Sequence, residues 1–224
     1  MSSFLNAILG PRVPNHELES HRARYLTPTL ILSAARILLL VSLFLPYWHM
    51  TLEAPQYPDG LSVTAYVNHL TGDVREINAL NHYIGMRPLE EAAQFERAAS
   101  VWMIIAMVLL VEGAALVHNR WAALLALPVV FFPVGFLVDL SYWLKLFGTH
   151  LDPKAPLSSS VKPFIPPVLG KGTVGQFVTV SSAGTGWYLA VAGSLLVILA
   201  LYFHRRAYKP LHKPFPIAPA ASPV

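Results

Sequence analysis

Two imidazoles and two thioethers stand out in one polar stretch of this chain: His49 beside Met50, then His82 and Met86. The chain has no cysteine, so thiolate sites and disulfides are excluded. Imidazole plus thioether suits copper in an oxidising compartment better than zinc or an iron–sulfur cluster. His150, in a second polar stretch, is a further imidazole within the same chemistry. If His82 to Met86 is helical, the i,i+4 spacing puts both side chains on one face. Gly85 weakens that helix and favours a turn. The competing reading is structural: His49 anchors at an interface, while Met50 and Met86 pack beneath a loop.

A second set of chemically loaded residues lies inside apolar runs. Arg36 and Glu112 fall about 12 and 14 residues from the same-side ends of their runs, so their depths differ by about 3 Å. That match predicts an intramembrane ion pair, the usual way such groups are retained in lipid. Asp139 and Lys145 share a third run, with Lys145 near headgroup level. A proton or ion path through Glu112 and Asp139 is the functional alternative, which would make the chain a small ion or proton transporter. With one acid per helix and no chain of polar partners, that path lacks its lining.

The elements that must position these residues are four apolar runs, at about 29–48, 98–117, 121–147 and 184–204. Each is long enough to cross about 30 Å of hydrocarbon. With 54% hydrophobic and 12% charged residues, the chain reads as an all-α membrane protein of four transmembrane helices. Pro128 and Pro133 should kink the third. The domain plan is a cytoplasmic segment 1–28, a membrane domain 29–204 with loops at about 49–97 and 148–183, and a basic, proline-rich tail 205–224.

Arg12, Arg22, Arg24, Arg120, Arg205, Arg206, Lys209 and Lys213 all lie on the side away from the two long loops. The positive-inside rule then places both termini in the cytoplasm and both loops outside, in the periplasm of a bacterial inner membrane. The net charge of +4 follows from that topology and from anionic lipid, so no nucleic-acid partner is implied.

The loops read as structured, extracytoplasmic segments. In the first, Pro55, Pro58 and Asp59-Gly60 oppose helix and signal a turn, Leu61 to Leu70 fits either a strand or a short helix, and Leu89 to Arg97 fits a helical lead-in. Tyr47-Trp48 is expected at the interface as an anchor. In the second, Pro153, Pro156, Pro163, Pro166 and Pro167 favour extended chain. Its Gly170-Lys171-Gly172-Thr173-Val174-Gly175 stretch lacks P-loop spacing. Pro55, Tyr57, Pro58, Asn81, Tyr83, Gly85, His150 and Asp152 are the candidates for shaping the loops or docking a partner. On the last span, Gly186, Ala190 and Gly193 form a small-residue packing face, within the bundle or toward another protein. A Tyr-Trp exit recurs at Tyr142-Trp143, a weak echo between the halves. No nucleophile, acid–base pair or haem-attachment motif appears, so the expectation is a non-enzyme.

Leu52-Glu53-Ala54-Pro55-Gln56-Tyr57-Pro58 and Leu80-Asn81-His82-Tyr83-Ile84-Gly85-Met86, with His150 to Pro156 and Pro166 to Gly170, resemble a family of small, largely uncharacterised bacterial four-span membrane proteins. The resemblance covers most of the chain past residue 30. Such proteins occur beside nitrous oxide reductase, its copper-chaperone lipoprotein and small cytochromes c. What the resemblance implies is an accessory role in periplasmic copper delivery or electron transfer, with no catalytic residues to carry over. Two readings follow. One is an accessory or structural subunit whose outer loops dock other subunits or a periplasmic redox protein in a respiratory or photosynthetic complex, with lipid or pigment bound there. The other is a copper-handling assembly factor.

Overall fold

The computed structural model describes residues 9, 13, 15–54, 56–119, 121–157, 159–174 and 177–212. After a short helix α1 (Asn15–Ser20), helix α2 runs from Arg22 to Ser42. Strands β1 (Trp48–Ala54), β2 (Tyr57–Ala65) and β3 (Leu70–Gly72) and helix α3 (Val74–Ile84) follow. A 3-10 turn at Leu89–Glu91 precedes helix α4 (Gln94–Leu116). A tight turn leads to α5 (Trp121–Thr149), then β4 (Gly170–Val174), β5 (Phe177–Ala183), α6 (Thr185–Tyr208) and a final 3-10 turn, Lys209–His212.

Helices α2, α4, α5 and α6 are each long and apolar enough to cross a membrane. Their buried positions recur every three or four residues: Leu32, Ala35 and Leu39 on α2; Ile104, Met107 and Val111 on α4; Ala126 and Val129 on α5; Val197 and Ala200 on α6. That period places one stripe of each helix in a common core. The helices close a ring in which α2 packs on α6, α6 on α5, α5 on α4, and α4 on α2. The opposite faces, with Ile37, Trp102, Leu109, Phe131 and Leu195, are exposed, as lipid-facing surfaces should be.

The boundaries depart from the sequence expectation at the first span. Helix α2 begins at Arg22 and carries Pro28 inside it, buried, where position 28 was expected to end the polar segment. A proline removes one helical hydrogen bond, which packing of a membrane helix tolerates.

The all-α expectation holds only in part: the four long helices are joined by a five-stranded antiparallel sheet ordered β3-β2-β1-β5-β4. The first loop supplies β1–β3 and the second supplies β4 and β5, so both loops form one body. Strand β1 continues from α2 and β5 runs into α6, so the α2–α6 pair extends out of the bundle as a β-ladder. Trp48 lies opposite Ala65 on one side and Ala183 on the other, a large side chain between two small ones. The Pro58-Asp59-Gly60 stretch lies within β2 at an irregularity of the β1–β2 register, not at a simple turn, and Gly60 has φ +73°.

Tyr47 and Trp48 are core residues, not interfacial anchors. Tyr47 is fully buried, its hydroxyl 2.7 Å from Ser42 Oγ and its ring against Phe132 and Phe136 of α5. Trp48 Nε1 donates to the Val168 carbonyl at 2.6 Å, tying the second loop to the first. The Tyr-Trp echo is not a structural repeat, because Tyr142-Trp143 lies within α5 while Tyr47-Trp48 enters a strand.

The small-residue face of α6 packs inside the chain. A Cβ on Gly186 would lie 2.7 Å from the Leu45 carbonyl oxygen and 2.8 Å from the Tyr47 ring. Gly193 faces Ala35 and Leu39 of α2, and Ala190 between them is fully buried.

Candidate functional site

Strand alternation decides the fate of the His/Met set. Residues at odd and even positions of a strand point to opposite faces, so His49 and Met50 cannot turn toward one ligand. Met50 is buried against Trp48, Ala65 and the sheet end of α5. His49 lies on the other face, with Nδ1 3.0 Å from Thr64 Oγ1.

Helix α3 covers the Met50 face of the sheet. Its amphipathic pattern buries Ile77 and Asn81 and leaves His82 and Tyr83 exposed. Asp73 fixes its start: Oδ2 accepts from Ser62 N at 2.7 Å and from Ser62 Oγ at 3.1 Å. Gly85 ends it with φ +80°, and Met86 N returns to the Asn81 carbonyl at 2.8 Å, a left-handed cap that glycine adopts most easily.

That cap also seats the second loop. The Gly85 carbonyl accepts from Asp152 N at 2.8 Å, and the Tyr83 carbonyl from Leu157 N at 2.9 Å. A Cβ at Gly85 would lie 2.6 Å from the Asp152 carbonyl oxygen. Asp152 Oδ1 accepts from Lys154 N at 2.8 Å, shaping that turn with its own side chain.

Sheet, α3, the end of α5 and the second loop together enclose an apolar cleft of about 470 Å³. Met50, Met86, Asn81 and Tyr83 line it, with Leu157 and Phe164 from the second loop. Its volume is that of a small-ligand pocket. Asn81 is 6% exposed, and its Nδ2 has no hydrogen-bond partner. An unpaired buried amide in an apolar wall is costly unless something supplies an acceptor.

The expected residues therefore divide. Both thioethers reach the cleft, whereas His49, His82 and His150 are not among its lining residues. His150 is exposed at the end of α5, with Nδ1 near Thr149 Oγ1 and the Leu146 carbonyl, both at 3.1 Å. Among the described residues no three His, Asp or Glu side chains cluster as a metal site would require. Tyr57 packs at the start of β2 beside Leu61 and Val63, Pro58 is exposed, and Pro55 lies outside the described residues.

Arg36 and Glu112 form a salt bridge between α2 and α4, and Arg36 Nη2 also donates to Ser33 Oγ at 2.6 Å. The Glu112 side chain is 49% exposed on the bundle flank, so the pair is not an enclosed polar path.

Two clusters went unrecognised in the sequence. At the turn end, His118 stacks on Tyr208 with ring centroids 4.0 Å apart, and His204 and Tyr25 pack on the same tyrosine. The i,i+4 spacing of His204 and Tyr208 was the available signal. At the sheet end, Glu96, Arg97, Asp139 and Trp143 border a second cavity. Their signal was a charged segment opening one helix and Asp139 near the end of the next, the two helices being joined by one tight turn.

Comparison with protein-family models, with curated proteins and with solved structures finds no match to this chain.

Proposed function

We propose that the chain is a non-enzymatic membrane accessory or structural subunit whose sheet-end module docks a partner protein of a membrane redox or energy-conversion complex. One observation carries this reading: both loops are spent on a single braced module with an apolar cleft whose rim exposes Tyr83 and Leu157 at 53% and 47%. A clustered apolar rim on a rigid frame is what a recognition surface needs. The charge distribution supports a periplasmic position for the module and cytoplasmic termini. A photocrosslinker at Tyr83, followed by gentle extraction from native membranes, tests the reading. It predicts one dominant adduct within a defined large assembly. A monodisperse monomer with no adduct overturns it.

A copper-handling role is the second reading, supported by the convergence of Met50 and Met86 on one cleft. Cu(I) titration of the purified protein separates the two. Stoichiometric binding that disappears in Met50→Leu/Met86→Leu favours copper, and unchanged stoichiometry removes these ligands.

A further inference from the structure

The second cavity, about 320 Å³, lies between the sheet ends of α4 and α5 under the segment that follows β2. It has a mostly apolar wall, including Met103, Phe132 and Phe136, and a charged border of Glu96, Arg97 and Asp139. Glu96 and Arg97 stand in the first turn of α4, directly before its apolar run, so the border lies where hydrocarbon gives way to headgroups.

Its polar groups are held in place yet incompletely paired. Arg97 Nη2 donates to the Glu90 carbonyl, which fixes the guanidinium, while Arg97 Nε is buried without a partner. Trp143 Nε1 is likewise buried, one turn beyond Asp139 and directed at its carboxylate, with no hydrogen bond of good geometry. Ala93, also on the wall, has φ +50°, the one positive-φ residue other than glycine among the described residues. Such a conformation is strained and persists only where its surroundings impose it.

We infer that this cavity binds the headgroup of a zwitterionic phospholipid bearing a primary amine. The ammonium pairs with Glu96 and Asp139, the phosphate pairs with the Arg97 guanidinium, and the upper acyl chain lies along the phenylalanines. A headgroup that is only anionic meets two carboxylates of its own sign. One that is only cationic meets the Arg97 guanidinium, a charge of its own sign, with no phosphate to offset it. The inference stands apart from the docking reading, because it concerns a different cavity and needs no protein partner.

Delipidated full-length protein, examined by native mass spectrometry and thermal unfolding with added phosphatidylethanolamine, phosphatidylglycerol or a short-chain quinone, tests it. The expected result is one retained phosphatidylethanolamine per chain, preferred at least about tenfold over phosphatidylglycerol, a difference of about 1.4 kcal/mol. Glu96→Gln/Asp139→Asn should abolish the preference. Gly135 borders the cavity and a Cβ there would touch nothing within 4 Å, so Gly135→Leu should fill the space, fold normally and lose the lipid. Equal binding of phosphatidylglycerol, retained binding in Gly135→Leu, or displacement of the lipid by the quinone overturns the assignment.

Discussion

Pro133 and Ser194 form a coupled pair whose energetics can be worked from the structure. Pro133 has no N–H, so the Val129 carbonyl four residues back loses its helical donor. Ser194 Oγ, on α6, donates to that carbonyl at 2.8 Å, and also reaches the Ala190 carbonyl at 2.9 Å. Ser194 is 6% exposed and Val129 fully buried, so no water substitutes. Replacing Ser194 by alanine strands the carbonyl, at a cost of about 1–3 kcal/mol by soluble-protein measure. Interhelical hydrogen bonds in membranes average about 0.6 and reach about 1.7 kcal/mol. Because this carbonyl has lost its only helical donor, we place the loss near the upper membrane value, about 1.5 kcal/mol. Pro133→Ala returns an N–H to the helix, so Ser194→Ala should then cost only a few tenths of a kcal/mol. Reversible unfolding in mixed detergent micelles, run as a four-member cycle, measures the coupling. Equal cost of Ser194→Ala in both backgrounds would refute the assigned role of this hydroxyl.

Gly85→Ala should cost at least about 1–2 kcal/mol, from left-handed backbone strain alone, and more from overlap with Asp152. Hydrogen exchange should show lost protection at Asp152 and Leu157, while Gly135→Ala, with open space around it, should be neutral or slightly stabilising. Arg36→Ala should destabilise more than Arg36→Ala/Glu112→Ala, since the single change leaves an unpaired acid at membrane depth, where insertion scales put a charged residue at about 2.5–3.5 kcal/mol; thermal unfolding of both variants ranks them. Gly186→Leu should prevent the α2–α6 approach and collapse monodisperse yield in size-exclusion chromatography, because even a Cβ there meets backbone at 2.7 Å. Single cysteines at His49 and at Ser20 in this cysteine-free chain should label oppositely with an impermeant maleimide, the first from outside only; exchanged labelling would reverse the proposed topology, and labelling of both from one side would void it.

Composition and run length by themselves determined that four helices can cross a membrane, because bilayer thickness sets a length that any apolar segment must meet. Local spacing also pointed to the depth match of Arg36 and Glu112 and to a small-residue face at Gly186, Ala190 and Gly193, since a helix translates sequence distance into height and azimuth. Which neighbour that face meets was left open, and only packing against Leu45, Tyr47 and Ala35 answered it. The sheet was hidden for a different reason. Strand β1 pairs with β5, more than a hundred residues away, and no local pattern records a partner so distant. In the first loop Pro55, Pro58 and Asp59-Gly60 masked the strand pattern, and in the second the prolines did. Without β1's alternation, His49 and Met50 read as one donor pair; with it, they face opposite ways. Residue types carried the candidate chemistry, and the long-range pairing of two loops decided which of those residues share a space.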